Sequence, residues 1–196
     1  MCYNRFMIHS KKHPRKRSRN HKLLKWKLLS GALILLVLLG YFYIQSARHE
    51  RHMQAQRLSM EEALFVRTVD GDTIKVKMDG TVYTVRLIGI DCPESVHPDS
   101  SKNTEAGRRA SAYTSSLLKE GQLLYLQKDV SETDRYGRLL RYVWLSLPDD
   151  PDSEAEQRSL LLNAKILLSG NAKASPYPPD TSRKELFSRL EHEVSH

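Results

Sequence analysis

The sequence predicts an α+β domain, a small closed five-stranded β-barrel carrying three helices, preceded by a single N-terminal transmembrane helix. Three features predict it. The run Leu28–Ile44 (LLSGALILLVLLGYFYI) carries no charge and follows a dense basic block. From Ala63 the pattern changes to alternation of apolar and polar residues, the signature of half-buried strands. The order that follows, three strands, a helix, two strands and two further helices, suits a barrel that leaves no sheet edge open.

The apolar run is at the short end of what spans a hydrocarbon core about 30 Å thick. Trp26, Tyr41 and Tyr43 stand where interfacial aromatics would stand. Ten Lys and Arg residues precede Leu28 and no acid offsets them. That bias predicts a basic cytoplasmic tail (1–27), an anchor (28–45), a linker or short juxtamembrane helix (46–62) and an extracytoplasmic domain (63–196). The alternative is a signal peptide cleaved on secretion, with Gln45-Ser46-Ala47 as a poor cleavage site. The tail itself suits contact with anionic lipid or nucleic acid.

Charge says little about the rest. The chain carries +8, and removing the ten tail charges leaves −2, so any basic groove must be local. With 196 residues, 40% apolar and 28% charged, the composition excludes a disordered or fibrous chain and suits one core with an appendage. Cys2 and Cys92 flank the apolar run and are expected to stay unpaired.

Within the domain, Ala63–Val69 reads as the first strand. In Asp72–Met78 the apolar Ile74, Val76 and Met78 interleave with Thr73, Lys75 and Lys77; Asp79-Gly80 then supplies a two-residue hairpin turn. Thr81–Ile90 continues as a third strand. Ala106, Ala110, Tyr113 and Leu117 share one helix face, predicting a helix over 104–120 that Gly121 ends. Leu123–Lys128 and Arg138–Leu147 read as strands, 158–169 and 181–194 as helices, the last with Leu186, Phe187 and Leu190 as its stripe. PDDPDSEAEQ reads as a solvated loop, since it lacks EF-hand spacing.

Four stretches carry chemistry: VDGDT (69–73), RLIGIDCPE (86–94), EAGRRASAYT (105–114) and DRYGR (134–138). Each has an ordinary reading. Asp-Gly-Asp is a common turn, Asp-Cys-Pro-Glu ends a strand, and DRYG closes a hairpin. Together they meet the demands of phosphodiester hydrolysis: a positioned water, and positive charge where the transition state gathers negative charge. Asp72, Asp91, Glu94, Arg86 and Arg138 are the groups concerned; arginine suits phosphate through its two-pronged donors. On a straight strand Arg86 and Asp91 would stand about 16 Å apart, at about 3.3 Å per residue; a bulge at Gly89 would bring them together. His97 reads as a loop residue.

In that order and spacing the four stretches resemble the staphylococcal nuclease family over about residues 63–194. The resemblance implies an OB-fold barrel and a Ca2+-dependent endo- and exonuclease that acts on single-stranded or locally melted DNA and RNA, leaving 3′-phosphates. It implies Asp72, Asp91 and the main-chain carbonyl of Cys92 as calcium ligands, Glu94 as general base, Arg86 and Arg138 as phosphate-gripping catalytic residues, and Arg135 and Tyr136 beside the nucleotide. The family's later substrate tyrosines have no clean counterpart, as the segment here is SPYPPD with Tyr177 displaced. Two other readings compete: an OB-fold module that only binds nucleic acid or protein, and an anchored scaffold with a structural role. A monomer held at the cell membrane is expected.

Overall fold

The computed structural model describes residues 17–95 and 103–195; most of the basic tail, Cys2 and His97 lie outside them. The chain divides after Glu50. Helix α1 (Arg17–Leu58) begins in the first unit. Its apolar stretch is exposed all round, with Leu36 at 66% and Phe42 at 75%, and its mean hydropathy reaches 2.0. It is long and apolar enough to cross a bilayer, a test that a signal sequence also passes. The segment read as a linker is helical as far as Leu58.

In the second unit, β1 (Glu61–Asp70), β2 (Thr73–Met78) and β3 (Thr81–Leu87) form the antiparallel meander that the alternation predicts. Ile74, Val76 and Val85 are wholly buried, whereas Lys77 points outward. Asp79 and Gly80 both take positive φ (47° and 83°), as a tight hairpin between twisted strands requires. β5 (Leu123–Gln127) and β6 (Leu139–Trp144) complete the barrel. β6 runs parallel to β3 and antiparallel to β5, and β5 closes on β1, giving the order β1-β2-β3-β6-β5. Closure satisfies every edge.

The third strand stops at Leu87, three residues short of the sequence expectation. Gly89, at φ 79°, turns the chain so that β4 (Ile90–Asp91) leaves the barrel and pairs with β7 (Lys173–Ala174). Buried Asn163 holds that turn: its Nδ2 donates to the Ile88 carbonyl (2.9 Å) while its Oδ1 accepts from the Val143 amide (3.0 Å).

α2 (Glu105–Ser116) is N-capped by Thr104, whose hydroxyl accepts from the Gly107 amide at 2.9 Å. It ends before Gly121, which instead donates to the Phe65 carbonyl at the entry to β5. The helix expected over 158–169 begins earlier and breaks in two, α3 (Glu154–Leu160) and α4 (Leu162–Leu168). The break has a cause in packing. Leu161 is fully buried and takes an extended conformation (φ −82°, ψ 115°) to bridge Trp144, so it cannot continue the helix. In the acidic stretch before α3, Asp150 accepts from the Asp152 and Ser153 amides, and the residues EAEQ form the first turn. α5 (Lys184–Val194) buries Leu186, Phe187 and Leu190, the stripe read from its periodicity.

Candidate active site

The turn at Gly89 brings Asp91 back onto Arg86, five residues upstream. Arg86, paired with Thr73 across β2 and β3, forms an ion pair from Nη1 to Asp72 Oδ2 at 2.7 Å and donates from Nη2 to Asp91 Oδ1 at 2.9 Å. One guanidinium thus spans two carboxylates that a straight strand would hold far apart. Asp72 is 6% exposed; its Oδ2 also accepts from the Cys92 amide (2.8 Å) and its Oδ1 from the Thr73 hydroxyl (3.1 Å). Burial raises its carboxyl above the ordinary range, and the Arg86 charge with these hydrogen bonds offsets part of that rise.

Cys92 is buried and free. Burial first, and the Asp72 charge second, push its thiol well above its ordinary value.

Glu94 follows Pro93 at the rim of the same cleft. Its main chain is gripped by the start of α2: its carbonyl accepts from the Thr104 amide at 3.0 Å and the Thr104 hydroxyl at 3.3 Å. Gly107 packs directly on this carbonyl; a Cβ there would stand 2.0 Å from the Glu94 oxygen. Asp70 adds a second tether, accepting at Oδ1 from Ser95 (2.6 Å), Ser111 (3.1 Å) and the Gly71 amide (2.8 Å). The first and third stretches singled out in the sequence, and the residue that follows the second, are thereby tied together through one carboxylate.

The fourth stretch forms a loop before β6. Asp134, its side chain 8% exposed, accepts at Oδ1 from the Tyr136 and Arg138 amides and at Oδ2 from Arg138 Nε at 2.7 Å. Arg138 is thereby held through Nε. Burial acts to raise the Asp134 carboxyl, but those hydrogen bonds and the Arg138 charge outweigh it and leave it below the ordinary 3.8. Arg135 lies over the Tyr136 ring at 4.7 Å and Arg138 near the same ring at 5.5 Å.

Two adjoining clefts share Arg86, Asp91 and Arg138 as a common wall. One, of about 400 Å³, holds Asp72, Thr84 and Glu94. The other, of about 410 Å³, is lined by Arg135, Tyr136, Leu140 and Tyr177. All eight site residues named from the sequence lie on these clefts or, for Cys92, directly beside one. Sequence reading missed the holding groups Asp70, Ser95, Ser111, Asp134 and Asn163. Asp70, Ser111 and Asp134 left a signal in lying within the singled-out stretches, and Ser95 and Asn163 left none.

The donor set suits a hard cation. Asp72 and Asp91 supply carboxylate oxygens that already converge on one positive group. Among the described residues no cluster of three or more His, Cys, Asp or Glu side chains is arranged to hold a metal. Main-chain carbonyl and water oxygens would have to complete a shell.

A profile of the family described as staphylococcal nuclease homologue matches residues 84–195. The chain is 32% identical over 170 residues to the thermonuclease of Staphylococcus intermedius, a match that covers 86% of this chain and 93% of that protein. It is 31% identical over 171 residues to the thermonuclease of Staphylococcus hyicus, with 86% and 93% covered. The SPbeta prophage-derived endonuclease YokF of Bacillus subtilis (strain 168) is 35% identical over 128 residues, 65% of this chain and 39% of that protein. With a profile match over more than half its length and relatives aligned over most of it, the chain belongs to the staphylococcal nuclease family.

Proposed function

We propose that the protein is a calcium-dependent nuclease that hydrolyses single-stranded or locally melted DNA and RNA to 3′-phosphate products. Relatives named as thermonucleases and endonucleases support nuclease action. The observation that carries the finer reading is the sharing of Arg86 between Asp72 and Asp91 on a cleft that also holds Glu94 and Arg138.

Asp72, Asp91 and the Cys92 carbonyl would hold Ca2+, which when bound supplies fixed positive charge beside the reacting phosphate. Glu94 takes a proton from the attacking water, whose oxygen adds to phosphorus as the bond to the 5′ oxygen breaks, and the 5′ oxygen leaves as a hydroxyl after taking a proton from solvent. Arg86 and Arg138 offer N–H donors to the phosphate oxygens, where such donors are worth most as charge develops. Arg135 and Tyr136 hold the adjoining nucleotide, and Tyr177 across the same cleft offers a further aromatic face. No covalent enzyme intermediate forms.

The apolar helix and the basic tail support an anchored monomer, with residues 1–27 cytoplasmic, 28–45 in the membrane, 46–62 as linker and the nuclease domain 63–196 outside the cell. Secretion after signal cleavage is the alternative. Extracellular calcium, at about 10⁻⁴ to 10⁻³ M, matches the range of weak sites.

The test is cleavage of single-stranded DNA by the full chain in detergent micelles, with calcium, with EGTA, and in Glu94→Gln. Calcium-dependent cutting that the variant slows by about 10²- to 10⁴-fold is expected. Tight binding with no cutting under any condition would instead support the binding-module reading.

A further inference from the structure

The register of the meander orders the outer face of the barrel into rows that start at the candidate active site. Asp70, Thr73 and Arg86 form the first row; Arg67, Lys75 and Thr84 the second; Leu64, Lys77 and Val82 the third. The residues between them, Ile74, Val76 and Val85, point into the core. Thr84 lines the cleft with Arg86 and Glu94, so that cleft opens directly onto the second row.

That second row is electrostatically unfavourable for the fold alone. Arg67 and Lys75 stand directly opposite each other in the ladder, where like charges destabilise. Among the described residues none of Arg67, Lys75 and Lys77 lies in an ion pair, whereas Arg86, Arg138, Arg141 and Arg158 all do. In a domain with slight net negative charge, three cations gathered on one face without acidic partners, Arg67 donating only to the Thr68 carbonyl, suit an external polyanion. Lys75 and Lys77 are two residues apart on one face, about 6.6 Å at about 3.3 Å per residue, a repeat suited to a backbone of serial charges. Leu64 and Val82, 45% and 51% exposed, flank Lys77 and offer apolar surface to sugars and bases.

We propose that Arg67, Lys75 and Lys77 form a phosphate track that carries the substrate strand away from the scissile phosphate across the outer face of β1, β2 and β3. The inference rests on the nuclease reading and deepens it: the track makes an extended single strand, not a dinucleotide, the favoured substrate. Continuity with the cleft through Thr84 favours nucleic acid over a lipid surface as the occupant.

The experiment compares the full chain in detergent micelles with a triple variant, Arg67→Thr, Lys75→Thr and Lys77→Thr, residues suited to exposed strand positions. Substrates are a dinucleotide and a single strand of about twelve nucleotides, a length within the span such folds bind. Dinucleotide cleavage should change by less than about twofold, which also reports that the variant is folded. Affinity for the longer strand should fall about tenfold or more near 0.1 M salt. Its log–log salt slope should flatten by about 2, at about 0.7 per phosphate contact. The variant should unfold at the same or a higher temperature, since the opposed charges are gone.

Equal losses on both substrates, or none on either, would overturn the track. So would loss of binding to phosphatidylglycerol vesicles with strand affinity intact. If the unaltered chain cuts neither substrate, the nuclease reading fails by itself, and fluorescence anisotropy of the longer strand on both proteins still decides whether the track exists.

Discussion

Two arginines on neighbouring strands make the same kind of contact to opposite ends. Arg86 on β3 and Arg141 on β6 are one residue out of step in the parallel ladder, since Arg86 lies beside Leu140 and Arg141 beside Leu87. Each bridges two carboxylates: Arg86 bridges Asp72 and Asp91, and Arg141 bridges Glu61 and Glu132. Arg141 is 1% exposed, and its remaining N–H groups donate to the Glu132 and Leu140 carbonyls, so every nitrogen is committed. Arg86 adds only a long contact to the Leu87 carbonyl (3.4 Å), and its partner Asp91 is 65% exposed. A saturated, buried guanidinium is a piece of the barrel wall. A partly open one can exchange its carboxylates for a phosphate.

Stripping the charge around Arg141 gives the largest expected effect. Glu61→Gln with Glu132→Gln leaves a buried guanidinium without a charged partner and should cost about 3–5 kcal/mol, read by urea unfolding. The pH dependence has a definite sign. The Arg141 hydrogen bond, helped by its charge and Lys128, holds the Glu132 carboxyl below its ordinary 4.5. Its contribution is therefore complete above that value and lost as the pH falls below it. A double variant with unchanged stability would show that Arg141 does not depend on these acids.

Arg86→Gln should do the reverse: lower kcat by about 10²- to 10³-fold while costing less stability than the Arg141 double variant, because Asp91 is exposed and Asp72 keeps its hydrogen bonds from Cys92 and Thr73. A stability loss on the scale expected for the Arg141 pair would erase the distinction. Asp134→Asn keeps an acceptor for the Tyr136 and Arg138 amides but removes the charge that holds Arg138 Nε. A fall in kcat/KM of about 10- to 100-fold follows from losing a charged hydrogen bond of about 1.5–3 kcal/mol. Normal activity in that variant would show that Arg138 needs no such tether.

The smallest effect on stability belongs to Asp72. Its raised carboxyl means that the folded, metal-free protein bears a cost from the buried anion above that raised value, and the cost fades as the pH falls through it. Asp72→Asn should therefore raise the thermal unfolding midpoint by a few degrees without calcium while abolishing activity. A lowered midpoint would mean that the Arg86 pairing outweighs the burial.

Alternation and turn chemistry made the meander legible, because Ile74, Val76 and the Asp79-Gly80 hairpin obey local rules. The site's residue types were legible too, since hard acids and arginines declare their chemistry. Their convergence was legible only in part, through the bulge expected at Gly89. The approach of Asp91 to Arg86 depends on a positive φ at Gly89 and on Asn163, seventy-five residues away from Ile88 in sequence. The split between α3 and α4 was hidden for a similar reason: Leu161 is an ordinary helix former, and only its burial against β6 draws it out of the helix.

Gly107 sets a rule for what this chain can become. With the Glu94 carbonyl 2.0 Å from where a Cβ would stand, even alanine must push the helix and the proposed base apart. In a library randomised at that codon, selection for cutting should return glycine alone, although nothing at position 107 touches substrate. The same library scored only for soluble expression should tolerate several residues, because a helix that rides a little higher on the barrel still covers its core.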